Sequence, residues 1–159
     1  MKYLHKTGAK ALVIRDGSIL VQKKYRKKKK YYTLPGGTVE DGENLLDTLK
    51  RECLEEIDTE VQAGDLAFVF EHESKSRDGS MKKKIDLVFR ATVPADYKPR
   101  NGPHPDPHQK DVVWLPLAKV GKSTFKPVAL GEALKALEED SPEKDKHQVF
   151  WPQLVAWTD

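Results

Sequence analysis

Three glutamates, Glu52, Glu55 and Glu56, stand at i, i+3 and i+4 in the stretch KRECLEEI. On a helix, at about 100° per residue, they share one face. Like charges so placed repel by a few tenths of a kcal/mol per pair, and a helix built only for solubility would alternate Glu with Lys. Spacing alone leaves two readings: a solvated acidic face, or a set of hard oxygen ligands. Mg²⁺ takes such ligands, joining one or two carboxylates to substrate phosphates while keeping several waters. Arg51, next to Glu52, can orient the carboxylates through charge-assisted hydrogen bonds. Upstream, Gly36-Gly37 allows the close backbone approach that a side chain would block, and a carbonyl oxygen there is a further hard ligand.

These groups need elements to hold them. Residues 43–57 read as a helix whose apolar stripe is Leu46, Leu49, Cys53 and Ile57. Residues 9–15 and 18–25 read as strands joined by Asp16-Gly17, a strong two-residue hairpin signal. Residues 31–34 form a short extended piece before Pro35. Residues 61–73, 84–93 and 111–115 are further strands, with Asp78-Gly79 in the second connection, and residues 129–139 are a second helix. Residues 94–110 hold five prolines and read as a long irregular loop, where His104 and His108 are exposed loop histidines. The pattern predicts an α/β (α+β) fold, a mixed sheet sandwiched between helices.

At 159 residues the chain reads as a single domain, 1–159. Its net charge of +3 is small, yet bases crowd positions 23–30 and 82–84 and acids crowd 40–60, so local fields matter more than the total. One cysteine, Cys53, excludes an internal disulfide. No apolar run reaches the roughly 20 residues of a membrane helix, and the N-terminal apolar stretch is too short for a signal segment. The expectation is a cytoplasmic protein with no membrane partner. The apolar, aromatic tail VFWPQLVAW is expected to dock on the domain or on a second subunit, making a homodimer.

The run KKYRKKKK at 23–30 holds seven Lys or Arg in eight residues. It is a solvated loop, a wall that steers a polyphosphate, or a nucleic-acid contact in which Tyr31 and Tyr32 stack on bases. As a substrate wall it would use Lys23, Arg26, Lys27, Lys28 and Tyr32.

Gly37, five residues, Glu43, seven residues, then Arg51-Glu52-Cys53-Leu54-Glu55-Glu56 resembles the Nudix box. The glycine, all four glutamates and the arginine match in register. Tyr32-Thr33-Leu34-Pro35-Gly36-Gly37 resembles the family's aromatic lead-in, and Trp114-Leu115-Pro116-Leu117 its later tryptophan strand. The box covers 23 residues, and the strand order fits the family fold from about residue 6 to 139, leaving 140–159 as a C-terminal extension. Three positions depart from the pattern: Cys53 replaces an aliphatic residue, Asp58 the helix-ending glycine, and Thr59 the last aliphatic. A buried thiol is a fair small hydrophobe. Aspartate suits a left-handed cap less well than glycine, so a weaker or reshaped helix end is expected.

The resemblance implies a MutT-like pyrophosphohydrolase that cleaves a nucleoside diphosphate linked to another moiety, with Mg²⁺ or Mn²⁺ as cofactor. It implies Gly37, Glu52, Glu55 and Glu56 as metal ligands, and Glu52, Glu56, Arg51 and Glu43 as the catalytic set. The family's general base varies. Glu52 is a candidate, as are Glu71, Glu73 and Asp111. The proline that marks many ADP-ribose hydrolases downstream is absent, and so is the coenzyme A hydrolase pattern. Nucleoside triphosphates, nucleotide sugars, dinucleoside polyphosphates and inositol pyrophosphates all stay open as the small-molecule partner. Two alternatives stand beside this reading: a non-catalytic binding module of the same fold, favoured by Asp58, and an RNA-processing hydrolase that uses the lysine run.

Overall fold

A computed structural model describes residues 3–75 and 78–139. The apolar tail and residues 140–159 lie outside the described residues. Eight strands and three helices follow in the order β1 (Tyr3–Leu12), β2 (Ile14–Arg15), β3 (Ser18–Arg26), β4 (Lys29–Thr33), β5 (Gly36–Thr38), α1 (Leu45–Ile57), β6 (Gln62–Lys75), β7 (Met81–Thr92), β8 (Gln109–Pro116), α2 (Leu117–Val120) and α3 (Val128–Glu139).

One sheet runs β5-β1-β7-β6, with β1 parallel to β7 and antiparallel to β5. The other is antiparallel and built on β3, which pairs with β2, β4 and β8. Period-two alternation sends side chains to opposite faces. From β1, Ala9 and Ala11 join a core with Leu49, Cys53 and Ile57 of α1. Leu12 joins a second core with Phe68, Phe70, Val88 and Leu130, Ala133 and Leu134 of α3. Sheet residues thus supply both cores, one beneath each long helix, as the expected mixed sandwich requires. Leu46, expected in the buried stripe of α1, is 48% exposed. Leu45, one residue nearer the cap, packs against the core beneath α1 instead.

The Asp16-Gly17 hairpin is present, with both residues at positive φ and Arg15 opposite Ser18. The lysine run is also a hairpin and not a loop. Arg26 pairs with Lys29, and Lys27 and Lys28 turn the chain at φ 48° and 64°. Ladder bonds need only backbone, so β3 and β4 continue after the apolar pattern ends. The same reason extends β1 back to Tyr3 through polar residues, where it pairs with β7.

Candidate active site

Helix α1 begins at Asn44, whose side chain accepts from Asp47 N while Asp47 reaches back to the Asn44 N–H, a reciprocal capping box. Glu43, just before the cap, is fixed by Thr48 Oγ1 at 2.7 Å and by Arg51 Nη2 at 3.1 Å. These donors hold its carboxyl down at about 2, the Arg51 hydrogen bond contributing most. From that anchor Arg51 fans across the helix: Nη1 lies 3.1 Å from Glu52 and 3.4 Å from Glu55, and Nη2 donates to Thr38 O at 3.3 Å. The guanidinium so pinned orients two carboxylates and ties α1 to β5, as charge-assisted forks do.

Gly37 lies in β5, opposite Ala9. A Cβ there would collide with the Glu52 carboxylate, so only glycine lets that carboxylate lie against the strand. Glu56, one turn further along, is 8% exposed. It accepts from Gln22 Nε2 and lies 3.5 Å from Gly36 N. Burial lifts its carboxyl to about 7 against the pull of Lys24, and Glu52 adds to the rise. Glu55 is half-buried.

Strand residues far away in the sequence complete this cleft. Lys10 and Lys24, each 8% exposed, both act electrostatically on Glu56, and Lys84 acts on Glu52. Burial lowers the Lys24 ammonium, with Asp106 at 3.3 Å opposing it. Asp86, fully buried, receives His72 Nε2 at 2.9 Å and has Lys84 Nζ at 3.4 Å. Lys10, Gln22, His72, Asp86 and Gln109 were not singled out in the sequence, and Lys24 and Lys84 were read only as members of the basic runs at 23–30 and 82–84. The signal for Lys10, Gln22 and Lys24 was a polar residue within or beside an apolar strand run.

Among the expected residues, Arg51 joins Glu43, Glu52 and Glu55 into one group beside Gly37, and Glu56 stands next to it, bonded to Gln22 and Gly36 N. The others do not join it. Glu71 and Glu73 pair with Lys83 at 3.8 and 3.1 Å, on the face of β6 opposite His72. Asp111 is exposed, opposite Lys23 on β8, and accepts from Val112 N at 2.9 Å. Tyr32 lies in the α3 core, its ring 5.9 Å from Phe125. Lys23 is half-buried, while Arg26, Lys27 and Lys28 are exposed on the hairpin.

The donor set is hard oxygen throughout. Among the described residues no three His, Cys, Asp or Glu side chains converge as a ready-made cage. Glu56 fits a cation, as a buried carboxylate beside a second one, where positive charge would offset both.

Residues 4–137 match the NUDIX domain model, and the chain belongs to that family of hydrolases. Among solved structures it is similar to the MutT protein from Methanosarcina mazei Go1, at 20% identity and TM-score 0.68, covering 87% of this chain and 96% of that one. It is similar to a MutT NUDIX hydrolase from Burkholderia pseudomallei, at 25% identity and TM-score 0.63, covering 83% and 97%. An ADP-ribose pyrophosphatase from Streptococcus suis shares the fold at 15% identity and TM-score 0.52, covering 97% and 98%. No curated protein matches the chain. No helix among the described residues is long and apolar enough to cross a membrane.

Proposed function

We propose that the chain hydrolyses a pyrophosphate bond in a nucleoside diphosphate linked to another moiety, with Mg²⁺ or Mn²⁺ as cofactor. The observation that carries this reading is one cluster holding two charge types. Glu52 and Glu56 lie together, and Lys10, Lys24 and Lys84 act on them from the strands. Carboxylates alone would repel a polyphosphate, and lysines alone would only bind it. Together they suit an anion that arrives with a cation.

The cation, held by Glu52, Glu56 and the Gly37 carbonyl with Glu55 beside them, would neutralise phosphate charge and make a bound water more acidic. Arg51 keeps Glu52 and Glu55 in place and is itself held by Glu43. Lys10, Lys24 and Lys84 take up phosphate oxygens. Glu52 lies within this group, whereas Glu71 and Glu73, paired with Lys83 on β6, and Asp111 on β8 do not join it. Glu52 is therefore the residue we assign to accept the proton of the attacking water. Asp58 gives a binding-only reading no support from helix distortion, since it takes the left-handed cap that a glycine would take.

The test is a hydrolysis panel with Mg²⁺ and Mn²⁺ across nucleoside triphosphates, nucleotide sugars, dinucleoside polyphosphates and inositol pyrophosphates. Glu56→Gln keeps the shape and removes a ligand charge. It should lower kcat by roughly a hundredfold or more, since a catalytic cation supplies several kcal/mol. Full activity in Glu56→Gln, or in excess chelator, would refute the reading.

A further inference from the structure

The carboxylate of Glu56 is held by amides whose direction is fixed. Gln22 Nε2 donates both to Glu56 Oε2 and to Gln109 Oε1, the latter at 2.9 Å. Gln109 Nε2 donates to Glu56 O at 2.7 Å and to Asn101 Oδ1 at 3.0 Å. Asn101 in turn donates from Nδ2 to Lys110 O at 3.1 Å. Each amide can flip end for end, and here each is locked by its neighbour. Gln109 faces two acceptors, so its nitrogen must point at them and its oxygen at Gln22. Gln22 then also faces two acceptors, Gln109 Oε1 and Glu56 Oε2.

The arrangement leaves Gln22 Oε1 buried with no donor. An unsatisfied buried carbonyl opposes stability, and the bonds from Nε2 to Glu56 Oε2 and Gln109 Oε1 hold Gln22 in this orientation against that cost. Without Gln109, Gln22 would lose one of its two locks. A flip would then turn its oxygen on the Glu56 carboxylate, acceptor against acceptor, and remove the hydrogen bond that Nε2 donates to it.

We propose that Gln22, Gln109 and Asn101 form a positioning relay that sets the Glu56 carboxylate for a divalent cation and ties its orientation to the proline-rich 94–110 segment. The inference rests on the cation reading above. Residues that orient a metal ligand typically change metal affinity by about ten- to a hundredfold when removed. The relay spans 87 residues between Gln22 and Gln109 and ends on an exposed side chain of Asn101. A change at the surface should therefore be felt at the cleft.

Mn²⁺ binding to the substrate-free protein, followed by the electron paramagnetic resonance of free Mn²⁺, tests this without turnover. Gln109→Met should raise the Kd about tenfold, and Asn101→Ala about threefold. Asn101→Asp keeps the oxygen that Gln109 uses but loses the bond to Lys110 O, and should bind within a factor of two of wild type. If Asn101 acted only by bracing the loop through Lys110 O, Asp would fail as Ala does, and the relay would be wrong. Wild-type Kd in both Gln109→Met and Asn101→Ala, with unchanged near-ultraviolet circular dichroism, would also overturn it. Should Gln109→Met not fold, the Asn101 pair decides alone. If the wild type binds no Mn²⁺, the cation reading falls and takes the relay with it. Mn²⁺ binding by the wild type without hydrolysis would leave the relay open to the same comparison.

Discussion

Asp86 shows what one buried residue sets. Burial by itself would raise its carboxyl, yet the His72 hydrogen bond and the charges of Lys10 and Lys84 win, and the group sits at about 2 against 3.8 in an ordinary setting. A depressed carboxyl adds stability that is fully present above about pH 4 and is lost as pH falls toward 2. The size is on the order of 2 kcal/mol at 1.36 kcal/mol per unit. Urea unfolding between pH 2.5 and 6 should show this acid limb. Asp86→Asn should flatten it and be less stable at pH 6, where Lys84 and Lys10 lose their buried counter-charge. An unchanged slope would mean another carboxylate governs the acid limb.

The box residues were legible because they lie on one helix and one adjoining loop, where spacing alone fixes geometry. The strand residues were not. Gln22 meets Glu56 across 34 positions and Gln109 across 87. Only strand register brings such residues together, and a one-residue slip would turn Gln22 to the other face.

At the scale of elements, the C-terminal end of α1 is the telling case. A helix leaves its last four carbonyls without internal partners. Here the 94–110 segment supplies them. His104 N reaches Glu55 O at 2.9 Å, Gly102 N reaches Glu56 O at 2.9 Å, Tyr97 Oη reaches Ile57 O at 2.7 Å, and Arg100 Nη2 reaches Asp58 O at 3.2 Å. A Cβ on Gly102 would collide with Glu55 O. The sequence showed an irregular, proline-rich loop, and proline content alone could not reveal that its donors converge on one helix end.

Asp58 follows from the same interaction. It takes φ 55°, ψ 42° and is held by Arg100 Nε at 2.6 Å. Asp58→Gly gains the backbone freedom of the left-handed cap and loses an exposed ion pair of about 0–1 kcal/mol. The two offset, so stability should move by less than about 0.5 kcal/mol. Asp58→Ala loses the pair and, having no polar side chain to support the left-handed conformation, should unfold at a lower temperature than Asp58→Gly. Thermal unfolding of both variants separates the two contributions: both lose the pair, so equal midpoints would show that glycine's backbone freedom at the cap contributes nothing.

At the scale of the whole molecule, positive charge collects at one end. Lys24 acts on Glu56 in the cleft, and Lys27 lies three residues on, about 10 Å further along the strand. Arg26 and Lys27 to Lys30 are all exposed there. We propose that these charges steer an anionic substrate without touching the reacting bond. They would then favour ground state and transition state alike, which raises affinity and leaves turnover alone. Replacing Lys27, Lys28, Lys29 and Lys30 with Ser should raise KM severalfold and change kcat little. Added salt should shrink the difference, since screening acts over about 8 Å at physiological ionic strength. Wild-type KM at low salt would leave the hairpin a solvated surface. Loss of RNA retention on filters, with small-nucleotide kinetics intact, would assign it to nucleic acid.

Strand β1 also governs when the protein can come together. It lies between β5 and β7, and its parallel partner runs from Met81 to Thr92. A ribosome releases β1 first, yet the strand lacks that neighbour until residue 92 has emerged. Non-local pairing of this kind is slow to form. During synthesis α1 can coil early, but the sheet under it and the strands bearing Lys10 and Lys84 cannot lock together until β7 has emerged. The site is therefore a late product of translation, and a nascent chain halted before β7 carries the acidic helix without Lys84 and with the strand of Lys10 still lacking its parallel partner.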